Sequence, residues 1–241
     1  MILRLVNALQ WSLLLLSMLL ASLYLSWQGL AQVDYGYSAW YDLLDIEATI
    51  ESEAPRNRFR TQFELTDRAE RERLFSGIVD AINHGGEGLS ALVYHTPDGM
   101  GLGPLLTRAE VVHLQDVAHL VGRFRTAAWI ALGLAVALSL MAVWRRMSPP
   151  SAGRLALGSV IGLGGAVLLL AAAGPVRVFY ALHEMVFPPD HQWFFYYDES
   201  LMSMMMQAPN LFGPIAVLWL VCALALLATV WSALAWVLRR R

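Results

Sequence analysis

Four long apolar runs dominate this 241-residue sequence and decide what it can fold into. They cover residues 5–30, 126–144, 155–176 and 211–238. A helix needs roughly 20 apolar residues to cross a hydrocarbon core of about 30 Å, and each run has that length or nearly so. Because 57% of the residues are hydrophobic and only 15% are charged, a soluble domain could not bury so much apolar surface. The sequence therefore predicts a mainly α, polytopic membrane protein with four transmembrane helices.

The first run has an alternative interpretation as a cleaved secretory signal, because Arg4 precedes it. Its length of about 26 residues exceeds the apolar region of such signals, and no convincing small-residue cleavage site follows. We therefore expect it to remain as the first transmembrane helix. The other three runs would keep the protein in the membrane in either case.

The arginines predict the orientation of the spans, because short basic loops stay in the cytoplasm. The sequence has no lysine, and its short flanks hold Arg4, Arg145, Arg146, Arg154, Arg239, Arg240 and Arg241. A segment as long as 31–125 crosses largely regardless of its charge. Both termini are therefore predicted to be cytoplasmic. All nineteen carboxylates and all six histidines then lie outside the cytoplasmic loops, so titratable chemistry is expected on the outer face.

Charge and cysteine content argue against several function classes. The formal net charge is −2 and the arginines are interleaved with acids, so the sequence has no basic patch of the kind that binds nucleic acid. The single cysteine, Cys222, lies in the fourth apolar run, where we expect an apolar packing residue rather than a disulfide or a catalytic thiol. Transport is disfavoured because the spans lack the buried charges of a transport pathway.

The polar segment 32–125 has the periodicity of a small folded α+β domain. Alternating apolar residues at 58–65 predict a half-buried strand. Asp67 and Glu70 predict the start of a helix whose apolar stripe runs to residue 82. A turn signal at 96–99 predicts a hairpin, and Thr107 with Glu110 fits a capping box that opens a helix leading into the second span.

Two histidines near the ends of neighbouring spans are the strongest candidates for chemistry. Glu110, His113 and Asp116 are spaced by three and can share one side of a helix, with His113 half-buried and Asp116 as its hydrogen-bond partner. His183 lies just beyond the third span, ahead of an aromatic run that contains Trp193. Imidazole is the side chain best suited to move protons near neutral pH. A histidine in either position, taken alone, is more often a structural residue than a catalytic one.

Rival chemistries have weaker support. The segment 88–92 lacks the second glycine of a serine-hydrolase nucleophile elbow. His113, Asp116 and His183 would supply enough ligands for a metal, but no His-Glu-x-x-His or paired-cysteine motif accompanies them. We predict no metal and no cofactor.

Two blocks of the sequence resemble the bacterial integral membrane lipoprotein intramolecular transacylases. The first is EVVHLQDV at 110–117, before the second span, and the second is LHEMVFP at 182–188, followed by Trp193 and the aromatic run. The order of four spans and the large outer segment after the first also agree. The chain departs from the family after the aromatic run, where it reads DES at 198–200, and before the last span, where it reads QAPN at 207–210.

The resemblance implies an enzyme that moves an acyl chain from the glycerol of a diacylglyceryl-cysteine lipoprotein to the α-amine of that cysteine. It implies catalytic roles for His113 and His183, without saying which is the base. The supporting residues would be Glu110, Asp116, Trp193 and Asp198. The partners would be a diacylated lipoprotein and membrane lipid, in the bacterial inner membrane with the active face extracytoplasmic. The alternative is a non-enzymatic membrane scaffold or sensor whose extracytoplasmic domain binds a partner.

The spans and the polar segments together predict a linear domain organisation. We expect transmembrane helix 1 at 1–31, an extracytoplasmic α+β domain at 32–125, helix 2 at 126–147, a cytoplasmic loop at 148–154, helix 3 at 155–177, an aromatic-rich extracytoplasmic loop at 178–210, and helix 4 with a cytoplasmic tail at 211–241.

Overall fold

The fold was analysed in a computed structural model. It describes residues 2–240, without the side chains of residues 2–4 and of part of the stretch 152–175. The helices are α1 (Ile2–Ala31), α2 (Tyr37–Leu43), α3 (Ile46–Glu53), α4 (Arg68–Asn83), α5 (Arg108–Trp144), α6 (Ala152–Ala173), α7 (Pro175–Val186), α8 (Leu201–Met205) and α9 (Phe212–Arg239). The strands β1 (Val93–His95) and β2 (Gly101–Pro104) pair antiparallel as a short hairpin. Short 3₁₀ turns connect several of these elements.

The long helices form a bundle in which α1 packs against both α5 and α9. Trp11, Leu14 and Met18 of α1 are buried against Ala135 and other small residues of α5. Small side chains let neighbouring helices approach closely, which is the usual means of packing within a membrane. Helix α1 is therefore the central helix of the described bundle.

Among the residues that the structure describes, three helices are long and apolar enough to cross a membrane: Leu5–Ala31, Arg108–Trp144 and Phe212–Arg239. The 37 residues of α5 extend over about 55 Å, well beyond a hydrocarbon core of about 30 Å. Residues 108–125 carry three arginines and two carboxylates, so the apolar part of α5, which we predict to span the membrane, is 126–144. The predicted third span corresponds to α6, where many side chains lie outside the described residues, and the prediction of four spans remains a prediction.

The polar segments assemble into one unit, here called the cap, which consists of residues 32–107 and 187–211. Buried side chains from both segments share one hydrophobic core. The hydroxyl of Tyr37 donates to the carbonyl of Met205 at 2.8 Å, and the Gln207 amide donates to the carbonyl of Leu44 at 2.8 Å. The aromatic-rich loop is thus an integral part of the cap rather than a separate connection.

Local signals in the sequence are confirmed in three places. Asp67 accepts a hydrogen bond from the Glu70 amide at 2.8 Å and caps α4. The turn at 96–99 joins the two strands of the hairpin. Thr107 and Glu110 form the full capping box, and α5 continues without a break into its apolar half.

The strand predicted at 58–65 is wrong. The Asn57 side chain accepts from the backbone amides of Phe59 at 3.0 Å and Arg60 at 2.8 Å, which folds the chain into a turn. Gln62 adopts φ +67°, and residues 63–65 form a 3₁₀ turn. An Asn side chain that satisfies nearby amides competes with strand pairing, and here it prevails.

A buried cation ties the N-terminal part of the cap together. Arg71 of α4 is 1% exposed. Its Nη1 donates to the Tyr41 hydroxyl at 2.6 Å and to Glu47 Oε1 at 2.7 Å, while Nε donates to Thr66 Oγ1 at 3.0 Å. Every partner of this guanidinium belongs to a different segment of the cap, so one side chain holds α2, α3 and α4 in register.

A candidate active site between the cap and the bundle

A cavity of about 370 Å³ lies where the cap meets the long helices. Its walls are mostly apolar and come from α1, α4, α5, α7, α8 and α9; they include Trp27, Ile78, Val79, Val117, Phe212 and Ile215. Cavities of this size and character are typical of small-molecule and lipid-chain sites. The few polar groups that line it therefore decide what chemistry it can support.

Both candidate histidines line this cavity. His113 lies on α5 and His183 on α7, and Phe187 packs against both imidazole rings. The ring centroid of Phe187 is 4.8 Å from that of His113 and 5.4 Å from that of His183. Two imidazoles far apart in the chain are thus brought to one site through a shared aromatic neighbour.

The ring of His183 is fixed in orientation and in tautomer. Its Nδ1 lies 2.7 Å from the carbonyl oxygen of Phe179, one turn earlier on α7. Because a carbonyl can only accept, Nδ1 carries the proton, and Nε2 of the neutral ring holds the lone pair. Phe179 and Trp193 pack on the ring, with centroids at 4.0 and 4.8 Å. His183 is therefore preorganised with a basic nitrogen at Nε2.

His113 sits in a drier environment, on the polar half of α5 that precedes the membrane-spanning part. Its Nδ1 is buried and has no hydrogen-bond partner among the described residues. Burial lowers the pKa of His113 to about 4, and the proximity of His183 acts in the same direction. His113 is therefore neutral near pH 7, with one N–H to donate and one nitrogen to accept.

Asp116 does not pair with His113, contrary to the expectation from their spacing. Its Oδ2 lies 2.6 Å from Nδ1 of His191, which precedes Trp193 in the loop after α7. The hydrogen bond to Asp116 raises the pKa of His191, and Asp190 adds to the effect. The pair joins this loop to α5 and so helps hold Trp193 beside His183.

We expect the attachment of this loop to weaken as pH rises. A histidine whose pKa is raised on folding contributes stability below its unfolded pKa of about 6.5 and loses it as pH rises through the higher folded value. Amide hydrogen exchange of residues 188–197, corrected for intrinsic rates, should show more protection at pH 6 than at pH 8.5. The Asp116→Asn variant should show the lower protection at both values. A pH dependence that survives this substitution would contradict the assignment.

Glu110 does not line the cavity, but it is linked by hydrogen bonds to a residue that does. The side chain is fully buried, and its Oε2 accepts from the Thr107 amide at 2.6 Å. Its Oε1 accepts from the hydroxyl of Ser200, which in turn accepts from the amide of Ser203 at 2.8 Å. Because Ser203 lines the cavity, Glu110 fixes one wall of the site to the start of α5.

No protein-family model and no curated protein matches this sequence. Solved structures do match: a structure of the membrane integral lipoprotein intramolecular transacylase Lit from Bacillus cereus has a TM-score of 0.67 and 15% identity, covering 98% of this chain and 97% of that chain. A Lit structure with a histidine-to-alanine substitution matches with a TM-score of 0.67 and 16% identity, over 99% of this chain and 96% of that chain. This chain has the fold of Lit.

The likeness to Lit extends over nearly the whole of both chains, so the cap and the long helices together form one known architecture. The resemblance carried by blocks 110–117 and 182–188 is therefore confirmed at the level of the fold. An identity of 15–16% also explains why comparison of sequences alone finds no relative.

Of the remaining predicted supporting residues, Trp193 lines the cavity and Asp198 does not. Asp198 Oδ2 accepts from Arg58 Nη2 at 2.9 Å, and Glu199 accepts from the same nitrogen at 2.8 Å. These contacts join the two segments of the cap. Asp198 thus acts on the site only through the fold, and its role in catalysis stays a prediction.

Sequence reasoning missed several residues of the site. Trp27 of α1 and Ile78 of α4 line the cavity, yet in the sequence they belong to apolar stripes that predict burial and nothing more. His191 stands 75 residues from Asp116, so no local spacing marks it as the partner of that carboxylate. Within the described residues, no group of three or more His, Cys, Asp or Glu side chains is placed to hold a metal ion.

Proposed function

We propose that this protein is a membrane acyltransferase that moves an acyl chain within a lipoprotein, from the glycerol ester of a diacylglyceryl-cysteine to the α-amine of the same cysteine. The observation that carries the proposal is the placement of His113 and His183 in one cavity with mostly apolar walls. The fold shared with Lit, whose name describes a lipoprotein intramolecular transacylase, supports the same conclusion.

The reaction suits the side chains that line the cavity. The nucleophile is the amine of the substrate, so the protein needs no serine or cysteine nucleophile of its own. It needs a base for the amine proton and a donor for the oxyanion. Holding the amine and the ester together can supply on the order of 7 kcal/mol of the barrier reduction.

We assign the proton transfers to His183. As the amine nitrogen bonds to the ester carbonyl carbon, Nε2 of His183 accepts the amine proton. When the tetrahedral intermediate collapses, the bond from the carbonyl carbon to the glycerol oxygen breaks, and that oxygen takes the proton from His183. The hydrogen bond from Nδ1 to the Phe179 carbonyl keeps Nε2 available for both steps and stabilises the transient imidazolium. The products are an amide and a free glycerol hydroxyl.

We assign oxyanion stabilisation to His113. A neutral imidazole donates one N–H, and in a site with little competing water such a preorganised donor stabilises developing negative charge strongly. Burial keeps His113 neutral at pH 7, so it does not compete with His183 for the proton. The two imidazoles therefore have different roles: His183 transfers the proton, and His113 stabilises the oxyanion.

The apolar walls provide the remaining requirement, which is a place for the acyl chain. Val79 and Ile82 of α4, Ile215 of α9 and Trp27 of α1 are among the apolar residues that line the cavity. These side chains can accommodate the acyl chain and exclude the water that would hydrolyse the ester. We place this cavity on the extracytoplasmic face of the bacterial cytoplasmic membrane, with both termini in the cytoplasm.

The proposal is tested by mass spectrometry of lipoprotein N-terminal peptides from cells with and without this protein. With the protein present, we expect N-acylated cysteine that carries a single acyl chain on its glycerol. A scaffold or sensor would leave the peptides identical in the two strains. Identical peptides from strains that express the protein at confirmed levels would overturn the proposal.

A further inference from the structure

A second cavity, of about 460 Å³, lies where the C-terminal end of α4 meets the middle of α5. It is separate from the histidine cavity in all but one lining residue, Asn83. Its other polar lining residues are His119, Arg123, Arg125 and Thr126. Unlike the first cavity, it is therefore a polar site rich in hydrogen-bond donors.

The charge of this cavity is positive. It is lined by two arginines and a histidine, and none of its lining residues is acidic. Of the neighbouring carboxylates, Asp80 pairs with His84 at 3.0 Å and Asp116 with His191 at 2.6 Å, and Glu87, two residues after Gly85, does not line the cavity. In the part of the chain that the structure describes, neither arginine forms an ion pair, so both guanidiniums are available to an anion.

One arginine is already oriented by the protein. Nη1 of Arg125 reaches the carbonyl oxygen of Asn83, at 3.4 Å, where α4 ends. This contact links the side chain to the C-terminal end of α4 and uses only one of its five N–H groups. A guanidinium presents its donors as a planar fork, which matches two oxygens of a phosphate.

The floor of the cavity is made of small residues. Ala118, Gly122 and Thr126 follow one another at intervals of four along α5 and so share one side of the helix. A Cβ built at Gly122 meets nothing within 4 Å. A headgroup can therefore approach the backbone of α5 between the arginine side chains.

The position of the cavity favours a lipid over a soluble anion. It ends at Thr126, where the membrane-spanning part of α5 begins. One turn further, Trp129 is 58% exposed and Ile130 is 69% exposed. Trp129 also packs edge-on against Tyr24 of α1, with centroids 6.4 Å apart. Exposed aromatic side chains of this kind mark the headgroup level of a bilayer, with acyl chains directly below.

We propose that this second cavity binds the phosphate of an anionic phospholipid headgroup, with Arg123 and Arg125 as its donors and the acyl chains lying along the apolar half of α5. The site anchors the junction of α4 and α5 to the membrane surface. It is distinct from the proposed acyl-transfer site, because neither arginine lines the histidine cavity.

The test is native mass spectrometry of the full-length protein in neutral detergent, titrated with phosphatidylglycerol or with phosphatidylcholine. We expect phosphatidylglycerol to bind preferentially. Each arginine near a headgroup contributes about a fivefold gain in affinity, so the Arg123→Gln, Arg125→Gln double variant should bind phosphatidylglycerol about twenty-five-fold more weakly. A charge-matched control, Arg56→Gln with Arg73→Gln on the cap, should keep the preference.

A second variant tests the cavity rather than the charge. Gly122→Leu fills the floor with a residue that favours helix, and it should abolish the preference without unfolding the protein. Gly133→Leu, also on α5 with nothing within 4 Å of its Cβ, is the matched control and should bind normally. Equal binding of the two lipids, an unchanged preference in the arginine double variant, or complete displacement by inorganic phosphate would each overturn the proposal.

Discussion

Replacing His183 with alanine is expected to reduce acyl transfer by about a thousandfold while the protein stays folded. The substitution removes the group that accepts the amine proton and returns it to the glycerol oxygen, and general acid–base catalysis of this kind contributes about 10²- to 10⁴-fold. The rate should be measured in single turnover with a synthetic diacylglyceryl-cysteine peptide in detergent. His84→Ala is the matched control, because His84 is exposed and its imidazole, among the described residues, bonds to Asp80 on the preceding turn of α4 and to no other residue.

A further substitution separates catalysis from structure. His183→Asn retains a donor at the position of Nδ1 and can still bond to the Phe179 carbonyl, but it offers no base at the position of Nε2. We expect it to fold like the original protein and to be as inactive as the alanine variant. Substantial activity in His183→Asn would mean that the residue only supports the shape of the cavity, and the assignment of proton transfer would fail.

Replacing Arg71 with alanine is expected to destabilise the cap by about 1 to 3 kcal/mol, because it removes a buried side chain and leaves the hydroxyls of Tyr41 and Thr66 without their donor, whereas Glu47 is 46% exposed and can be solvated. The Tyr41 hydroxyl, the Thr66 hydroxyl and Glu47 each lose the donor they face. The measurement is denaturant unfolding of the protein in mixed micelles, followed by tryptophan fluorescence.

Arg73→Ala provides the comparison for this experiment. Arg73 lies two residues along the same helix and also pairs with a carboxylate, Glu70, at 2.6 Å, but its side chain is 48% exposed. Exposed ion pairs contribute about 0 to 1 kcal/mol. If the two arginine variants unfold at the same denaturant concentration, the buried network does not hold the cap together.

The sequence predicted those elements whose causes lie close together in the chain. The start of helix α4 depends only on Asp67 and the Glu70 amide, and the start of helix α5 depends only on Thr107 and Glu110. The length and hydropathy of the spans likewise report directly on a lipid environment. In each case the interacting groups are a few residues apart, so spacing alone specifies the contact.

Features that depend on distant partners could not be predicted in this way. The alternating apolar residues at 58–65 have no neighbouring strand to pair with. Instead, the Asn57 side chain accepts hydrogen bonds from the amides of Phe59 and Arg60, and the backbone forms a turn. Asp116 was expected to bond to its helical neighbour His113, yet it pairs with His191 from the loop after α7. Neither outcome has a signal in local spacing, because both depend on how the cap folds over the bundle.

The candidate site could be predicted in part from the sequence. The two histidine blocks were recognised from their resemblance to a family, but only the fold shows that both rings line one cavity. The packing of the two cap segments against each other depends on contacts between residues far apart in sequence. One example is the hydrogen bond from the Tyr37 hydroxyl to the Met205 carbonyl. The tautomer of His183 likewise follows from a three-dimensional contact with Phe179 and could not have been derived from composition.

The central claim is that one cavity holds the amine and the ester of a single substrate between two imidazoles. Its most direct test is the product formed by the purified protein from a synthetic diacylglyceryl-cysteine peptide. Transfer within one molecule predicts a product of unchanged mass whose α-amine has become unreactive, with one acyl chain located on nitrogen by fragmentation. A product lighter by one acyl chain, or a peptide whose amine stays free, would contradict the account.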